Sequence, residues 1–288
     1  MPAHIHLHGQ WHFPIALTLT LGVAAAVYLR GCWELSSISR RDIAPIRAGT
    51  FVTGLFLIWV AIGSPLTGLD RELLTVHMIQ HLLLMTIAAP LLLLGEPLMP
   101  LLLGLPHSLA QLAVTISKRP LVRRFGELLA HPVVCWMTGI AVLVGWHIPA
   151  VLPLAMHSPS LHAFEYASFL VAGLLFWWPV IQPWPAKLRR TRWGILLYLF
   201  LATLPCDILS AALVFSDRVA YPVYYATSHQ TRMTVLADQQ FAGALMWTSV
   251  TLIYFIPAAV LTLQLLGPQN RGQVAARGNS VAARMEFI

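Results

Sequence analysis

Seven apolar stretches decide what this chain can fold into. They fall at roughly 13–30, 47–63, 74–95, 132–150, 162–181, 193–214 and 239–266. A helix needs about 20 apolar residues to cross a bilayer, within a range of about 17–25. In hydrocarbon the backbone must satisfy its own hydrogen bonds, so such stretches fold as helices. The expected fold is all-α, a polytopic membrane protein with seven transmembrane helices. Composition agrees, since 58% of the 288 residues are hydrophobic and 10% are charged, against about a quarter charged in soluble domains. An ordinary soluble enzyme and a disordered chain are thereby excluded. The apolar run 98–105 is too short to span and is punctuated by Pro97, Pro100 and Pro106. It reads as an interfacial or re-entrant piece.

The basic residues orient the helices. Of 18 Lys and Arg, all but Arg71, Arg218 and Arg232 lie in the connections 30–47, 96–131 and 182–192 and in the C-terminal tail. Cytoplasmic loops carry such an excess, so the N-terminus is expected outside and the C-terminus in the cytoplasm. The net charge of +7 is then a mark of topology, and membrane lipid rather than nucleic acid is the expected surroundings. No basic segment precedes the first stretch, so no cleavable signal peptide is expected. Residues 1–12 read as a His-rich extracytoplasmic tail, 13–266 as a seven-helix membrane domain, and 267–288 as a disordered cytoplasmic tail. Cys32, Cys135 and Cys206 form no CxxC pair and imply no disulfide framework.

In this topology ten of the twelve histidines fall on the outer side or in the outer half of a span; His107 and His131 are the exceptions. His77 and His81 stand at i, i+4 on one helix face, about 6 Å apart along the axis, a spacing from which two imidazoles can meet one metal ion. Met78 and Met85 adjoin and extend that face. His147 lies about 22 Å up the fourth span from its inner end, level with the pair. His162 and Glu165 share a face at the outer start of the fifth span, with Glu165 placed to bind a metal or to fix a histidine tautomer. His157 and Met156 precede them. For each residue the competing reading is structural: a histidine bonded to a neighbouring helix, an acid favouring a helix N-terminus, a methionine that packs.

In the sixth span Asp207 is costly in lipid and is expected to face the bundle interior. Its neighbour Cys206 is either a soft ligand for Cu(I) or a small buried hydrophobe. Asp238, Gln239 and Gln240 open the seventh span and read as its cap. The tail carries His4, His6, His8 and His12. With Met1 removed, its Pro-Ala-His start could bind Cu(II) or Ni(II) in a square plane, or simply be solvated.

These residues lie in stretches that resemble the CtaG-type cytochrome c oxidase assembly factors, associated with caa-type oxidases. The resemblance is carried by HMIQHLLLMTIAAPLLLLGEP (77–97), the segment 131–181 ending in LLFWWPVI, FSDRVAYPVYY (215–225) and DQQFAGALMW (238–247). It implies a seven-helix protein of the plasma (inner) membrane that helps heme–copper oxidases mature. Its partners would be oxidase subunits or copper chaperones. The matched positions are His77, His81, His147, His157, His162, Glu165, Asp238 and Gln239. Two departures stand out: Tyr166 occupies a position where the family has a second histidine, and Cys206-Asp207 replaces a more ordinary apolar or hydroxyl stretch. The expected role is non-enzymatic, with copper held transiently by His77, His81, His147, His162, Glu165 and His157. Three alternatives compete: a heme carrier using His81 and His147 as axial ligands, a zinc hydrolase with Glu165 as base, and a metal-free scaffold for oxidase subunits.

Overall fold

A computed structural model describes residues 13–39, 45–181, 191–226 and 233–266. The N-terminal histidines, His229, the basic segment around Lys187 and the C-terminal tail lie outside the described residues. Within them the chain is helical, with no strand. Six helices or helix pairs are long and apolar enough to cross a membrane: Ile15–Ser36, Pro45–Leu69, Leu74–Leu94, Pro159–Ile181, Arg192–Val214 and Val235–Leu266. Their outer surfaces carry large apolar side chains such as Val23, Phe200, Ile208, Phe255 and Leu263, each at least 62% exposed. A water-soluble protein does not display such a belt; lipid tails would cover it.

The helices are α1 (Ile15–Ser39), α2 (Pro45–Gly63), the short turn α3 (Leu66–Leu69), α4 (Leu74–Leu82), a π-helical segment (Leu83–Ala88) and α5 (Ala89–Leu94). Then come α6 (Leu98–Gly104), α7 (His107–Ser117), α8 (Pro120–Leu129), α9 (Pro132–Trp146), α10 (Leu152–His157), α11 (Pro159–Ile181), α12 (Arg192–Val214) and α13 (Val235–Leu266). The stretch 132–150 differs from expectation. Its helix α9 stops at Trp146, about 22 Å long, because Pro149 disfavours helix at Ile148. α8 precedes it at a bend of 66°.

The run 98–105 folds as α6 and lies against α1 at backbone contact. A methyl group on Gly31 would sit 1.7 Å from the Pro100 carbonyl oxygen, and one on Gly104 would sit 1.8 Å from that of Val27. Only paired glycines permit this approach, the small-residue mode of helix packing in membranes.

The π-helical segment follows from Pro90. A proline clashes with the carbonyl four residues back and lacks an N–H. Widening the turn relieves the clash, and Ala89 N–H bonds to Leu84 O instead of to Met85 O. In the widened ladder Met85 O faces Pro90, which has no proton to give. The Trp177 indole supplies it, donating to Met85 O at 3.0 Å. π-bulges of this kind recur at functional sites, and this one begins two residues after His81.

Asp238 does not cap its own helix. Its carboxylate accepts from Leu74 N at 2.6 Å and from Thr75 N at 3.2 Å, and Thr75 Oγ1 donates to it at 2.6 Å. It therefore caps α4, while the Thr234 hydroxyl accepts from Ala237 N in α13. Gln239 likewise reaches out, accepting from Ala220 N at 2.6 Å and donating to Arg218 O. These two side chains tie α13 to the start of α4 and to the segment 215–226. That segment closes over the histidines: Tyr221 donates to His147 O at 2.9 Å and Tyr224 to Asp70 O at 3.2 Å.

Candidate metal centre

The capped start of α4 turns His77 and His81 inward, one helical turn apart. Their rings lie 4.2 Å from centroid to centroid. Opposite them α11 supplies Glu165, fully buried. Its Oε1 lies 3.2 Å from His77 Nε2 and 3.3 Å from His81 Nε2. With the carboxylate ionised, the His77 Nε2–H donates to it; His81 Nε2 is not aligned for a hydrogen bond. One turn outward, His162 stacks on His77 at 5.7 Å between centroids. Its Nε2 lies 3.5 Å from Asp70 Oδ2 and 3.9 Å from Glu165 Oε2.

Asp70, from the connection after α3, completes the cluster. Tyr166 donates to Asp70 Oδ2 at 2.6 Å, and Gln80 Oε1 lies 3.0 Å from the same hydroxyl. The Gln80 amide is fixed in that direction by donating to Ala61 O at 2.8 Å. Burial pushes the Asp70 carboxyl above the usual carboxylate range, and the Tyr166 hydrogen bond pulls back against it. Tyr166 thus holds an acid in place at the position where the resemblance implies a further imidazole.

Two overlapping triads have ligand atoms within 4.8 Å of one another: His77, His81 and Glu165, and Asp70, His77 and His162. All five residues are buried. Six of their ring or carboxylate atoms have no hydrogen-bond partner among the described residues, including His77 Nδ1, both His81 nitrogens, His162 Nε2 and Glu165 Oε2. Each such buried orphan costs about 1–3 kcal/mol, and concentration of them in one spot calls for an explanation such as an ion. Imidazoles and carboxylates separated by 3.2–3.3 Å fit a cation bonded at about 2 Å to each.

The expected ligands do not all converge. His147 stands beside the cluster, 6.5 Å from His81 between centroids. Its Nδ1 pairs with Leu143 O and its Nε2 faces Met78 Sδ at 3.2 Å. His157 is not in the cluster: it is exposed and paired with Pro153 O one turn back in its own helix. Asp207 is half-buried, with no hydrogen bond or ion pair to a described residue, rather than turned fully into the bundle. Successive residues lie about 100° apart round a helix, and on α12 Cys206, buried at 2% exposure, takes the interior position while its neighbour stays at the side. Glu165 acts on His77 and His81 more closely than on His162.

Reasoning from spacing misses Asp70, Gln80 and the capping role of Asp238. Asp70 lies at the end of a span and pairs with residues about ninety positions away, so no local period marks it. Gln80 carried a signal, being a polar side chain between His77 and His81 in an otherwise apolar helix.

An open groove of about 580 Å³ runs between α1, α2 and α11. Leu21, Ile58 and Leu170 line its apolar part, and Asp70, Arg71 and His162 its polar end. It gives the cluster a lateral approach.

Two curated relatives are uncharacterized proteins, one from Mycobacterium bovis and one from Mycobacterium tuberculosis. Each is 26% identical over 281 residues, which cover 93% of this chain and 40% of the relative. The chain therefore spans less than half the length of these relatives. No solved structure matches it. Residues 26–267, which hold α4, α9 and α11 and every residue of the cluster, match the description "Cytochrome c oxidase caa3 assembly factor (Caa3_CtaG)", and the chain belongs to that family.

Proposed function

We propose that the chain serves the maturation of a heme–copper oxidase by holding copper transiently at the His77–His81–Glu165 triad, on the outer side of the plasma membrane. One observation carries this reading: buried imidazole and carboxylate atoms from two helices, several without partners, converge on one point. Imidazole suits copper. A triad of two histidines and one carboxylate leaves coordination positions open, as exchange with a partner requires. Asp70 and His162 form the adjoining acceptor pair on the groove side. The partners in this reading are oxidase subunits or copper chaperones, and the role is carriage rather than catalysis. For heme the fit is poor. The cavity between His81 and His147 is about 40 Å³, an order of magnitude below a site for a ligand of that size, roughly 300 Å³ or more.

The topology proposed with it has seven spans, with α9 as the fourth, the N-terminus outside and the C-terminus inside. In support, the cluster draws on the N-terminal ends of α4 and α11, while Lys118, Arg119, Arg123 and Arg124 precede α9 and Arg192 opens α12 at their other ends. Reporter fusions after residues 118 and 187 should read cytoplasmic, and one near 157 external; the reverse would put the histidines in the wrong compartment. For function, His81→Ala should insert and fold but leave the cognate oxidase short of active enzyme. Full oxidase activity in both His77→Ala and His81→Ala cells would leave only the metal-free scaffold.

A further inference from the structure

Beneath the histidine–carboxylate triad lies a second chamber of different chemistry. A cavity of about 40 Å³ is lined by Met78, His81, Met85, His147, Cys206 and Met246, among others. A single water needs about 10–15 Å³ of such space, so the cavity has room for a small ligand or an ion. Three thioethers and one thiol converge here from α4, the π-helical segment, α12 and α13. All four sulfur side chains are buried, at 2–7% exposure. Sulfur side chains can pack as plain hydrophobes, but two features of this cavity are not packing. His81 faces it with neither ring nitrogen hydrogen-bonded to a described residue. His147 directs Nε2 at Met78 Sδ, 3.2 Å away, while its Nδ1 is held by Leu143 O at 2.7 Å. One imidazole lacks a hydrogen bond at either nitrogen, and the other is oriented from behind so that its second nitrogen meets a thioether inside the cavity.

We propose that this cavity is a Cu(I) site, drawing its few ligands from among Cys206, the thioethers of Met78, Met85 and Met246, and the imidazoles of His81 and His147 that line it. Thiolate, thioether and imidazole together are the soft set that selects Cu(I) over harder cations. His81 belongs to both chambers, since its Nε2 lies 3.3 Å from Glu165 and its ring lines the cavity. Cu(I) would pass between them by exchange of ligands, with no change of oxidation state. When Cys206 binds, its thiol proton is released to bulk water, so the bound ion and thiolate are together neutral, as suits a low-dielectric interior. The proposal deepens the copper reading above and rests on it. It also gives a role to Cys206, one of the two positions that depart from the family pattern.

The test uses the full chain in nanodiscs, loaded with Cu(I) alone under an anaerobic reductant. X-ray absorption gives the ligand atoms, and competition with a chromophoric Cu(I) chelator gives the affinity. Sulfur scattering near 2.3 Å, a metal–thiolate length, is expected in the wild type. Cys206→Ser should reduce that shell, leaving only thioether sulfur, and weaken Cu(I) by about 10–100-fold. Met85→Leu, a volume-conserving change that the packing tolerates, should weaken Cu(I) while leaving Cu(II) affinity at the triad within about twofold. Purely nitrogen and oxygen scattering, or Cu(I) affinity unchanged in both variants, overturns the sulfur site and leaves the triad standing. Absence of any copper binding, as Cu(I) or Cu(II), overturns both.

Discussion

Glu165→Gln separates a ligand from a packing residue. The substitution keeps the shape of a fully buried side chain and removes its charge. In the metal-free protein two effects oppose each other. The charged hydrogen bond from His77 at 3.2 Å is lost, worth about 1.5–3 kcal/mol. Against this, a buried carboxylate with one unpartnered oxygen is replaced by a neutral amide, which relieves a desolvation penalty of similar size. The net change in metal-free stability should lie within about 1 kcal/mol. With copper the outcome differs. An ion present at a hundred times its dissociation constant stabilises the fold by about 2.7 kcal/mol. Loss of one of three ligands, at the upper end of a 10–100-fold weakening, leaves about 0.4 kcal/mol at the same concentration. The assay is a pair of thermal unfolding curves for each protein in detergent, with and without copper. A copper-induced shift that persists in Glu165→Gln, together with a large loss of metal-free stability, would refute the ligand role and make Glu165 a structural residue.

Substitutions at three further positions test what surrounds the triad. Asp238→Ala removes the acceptor for Leu74 N and Thr75 N and should cost about 1–2 kcal/mol by thermal unfolding, while Asp238→Asn, which keeps a carbonyl acceptor, should retain most of it. Trp177→Phe leaves the Met85 carbonyl unpaired beside Pro90 and should cost about 1–3 kcal/mol in the same assay, with the loss confined to stability if the π-helical segment keeps its shape. His157→Ala should leave copper affinity unchanged in a chelator competition, since the side chain is exposed and bonded within its own helix.

Hydropathy and local spacing made much of the helix layout legible and little of its wiring. Six of the seven apolar stretches correspond to helices of spanning length, but the boundaries moved. α1 continues past Arg30 and Glu34 to Ser39, because hydropathy marks where lipid ends and not where helical hydrogen bonding ends. α9 is shorter than its stretch, since Pro149 stops the helix while the side chains stay apolar. At the site, the i, i+4 pair His77–His81 and the i, i+3 pair His162–Glu165 were readable because each lies on one helix. What joins them was not. Glu165 meets His77 across 88 residues and Asp238 meets Leu74 across 164, separations that no period encodes. Tyr166 illustrates the same limit. As sequence it is a histidine missing; in the fold it holds Asp70, an acid that spacing gave no reason to notice.

The most direct test of the central claim is the copper content of the full chain purified from copper-supplied membranes, wild type beside the His77→Ala/His81→Ala double variant. Copper should co-purify with the wild type and fall by about tenfold or more in the double variant, at equal yield and unchanged helix content. Equal copper in both proteins, or none in a wild type that supports full oxidase activity, would contradict it.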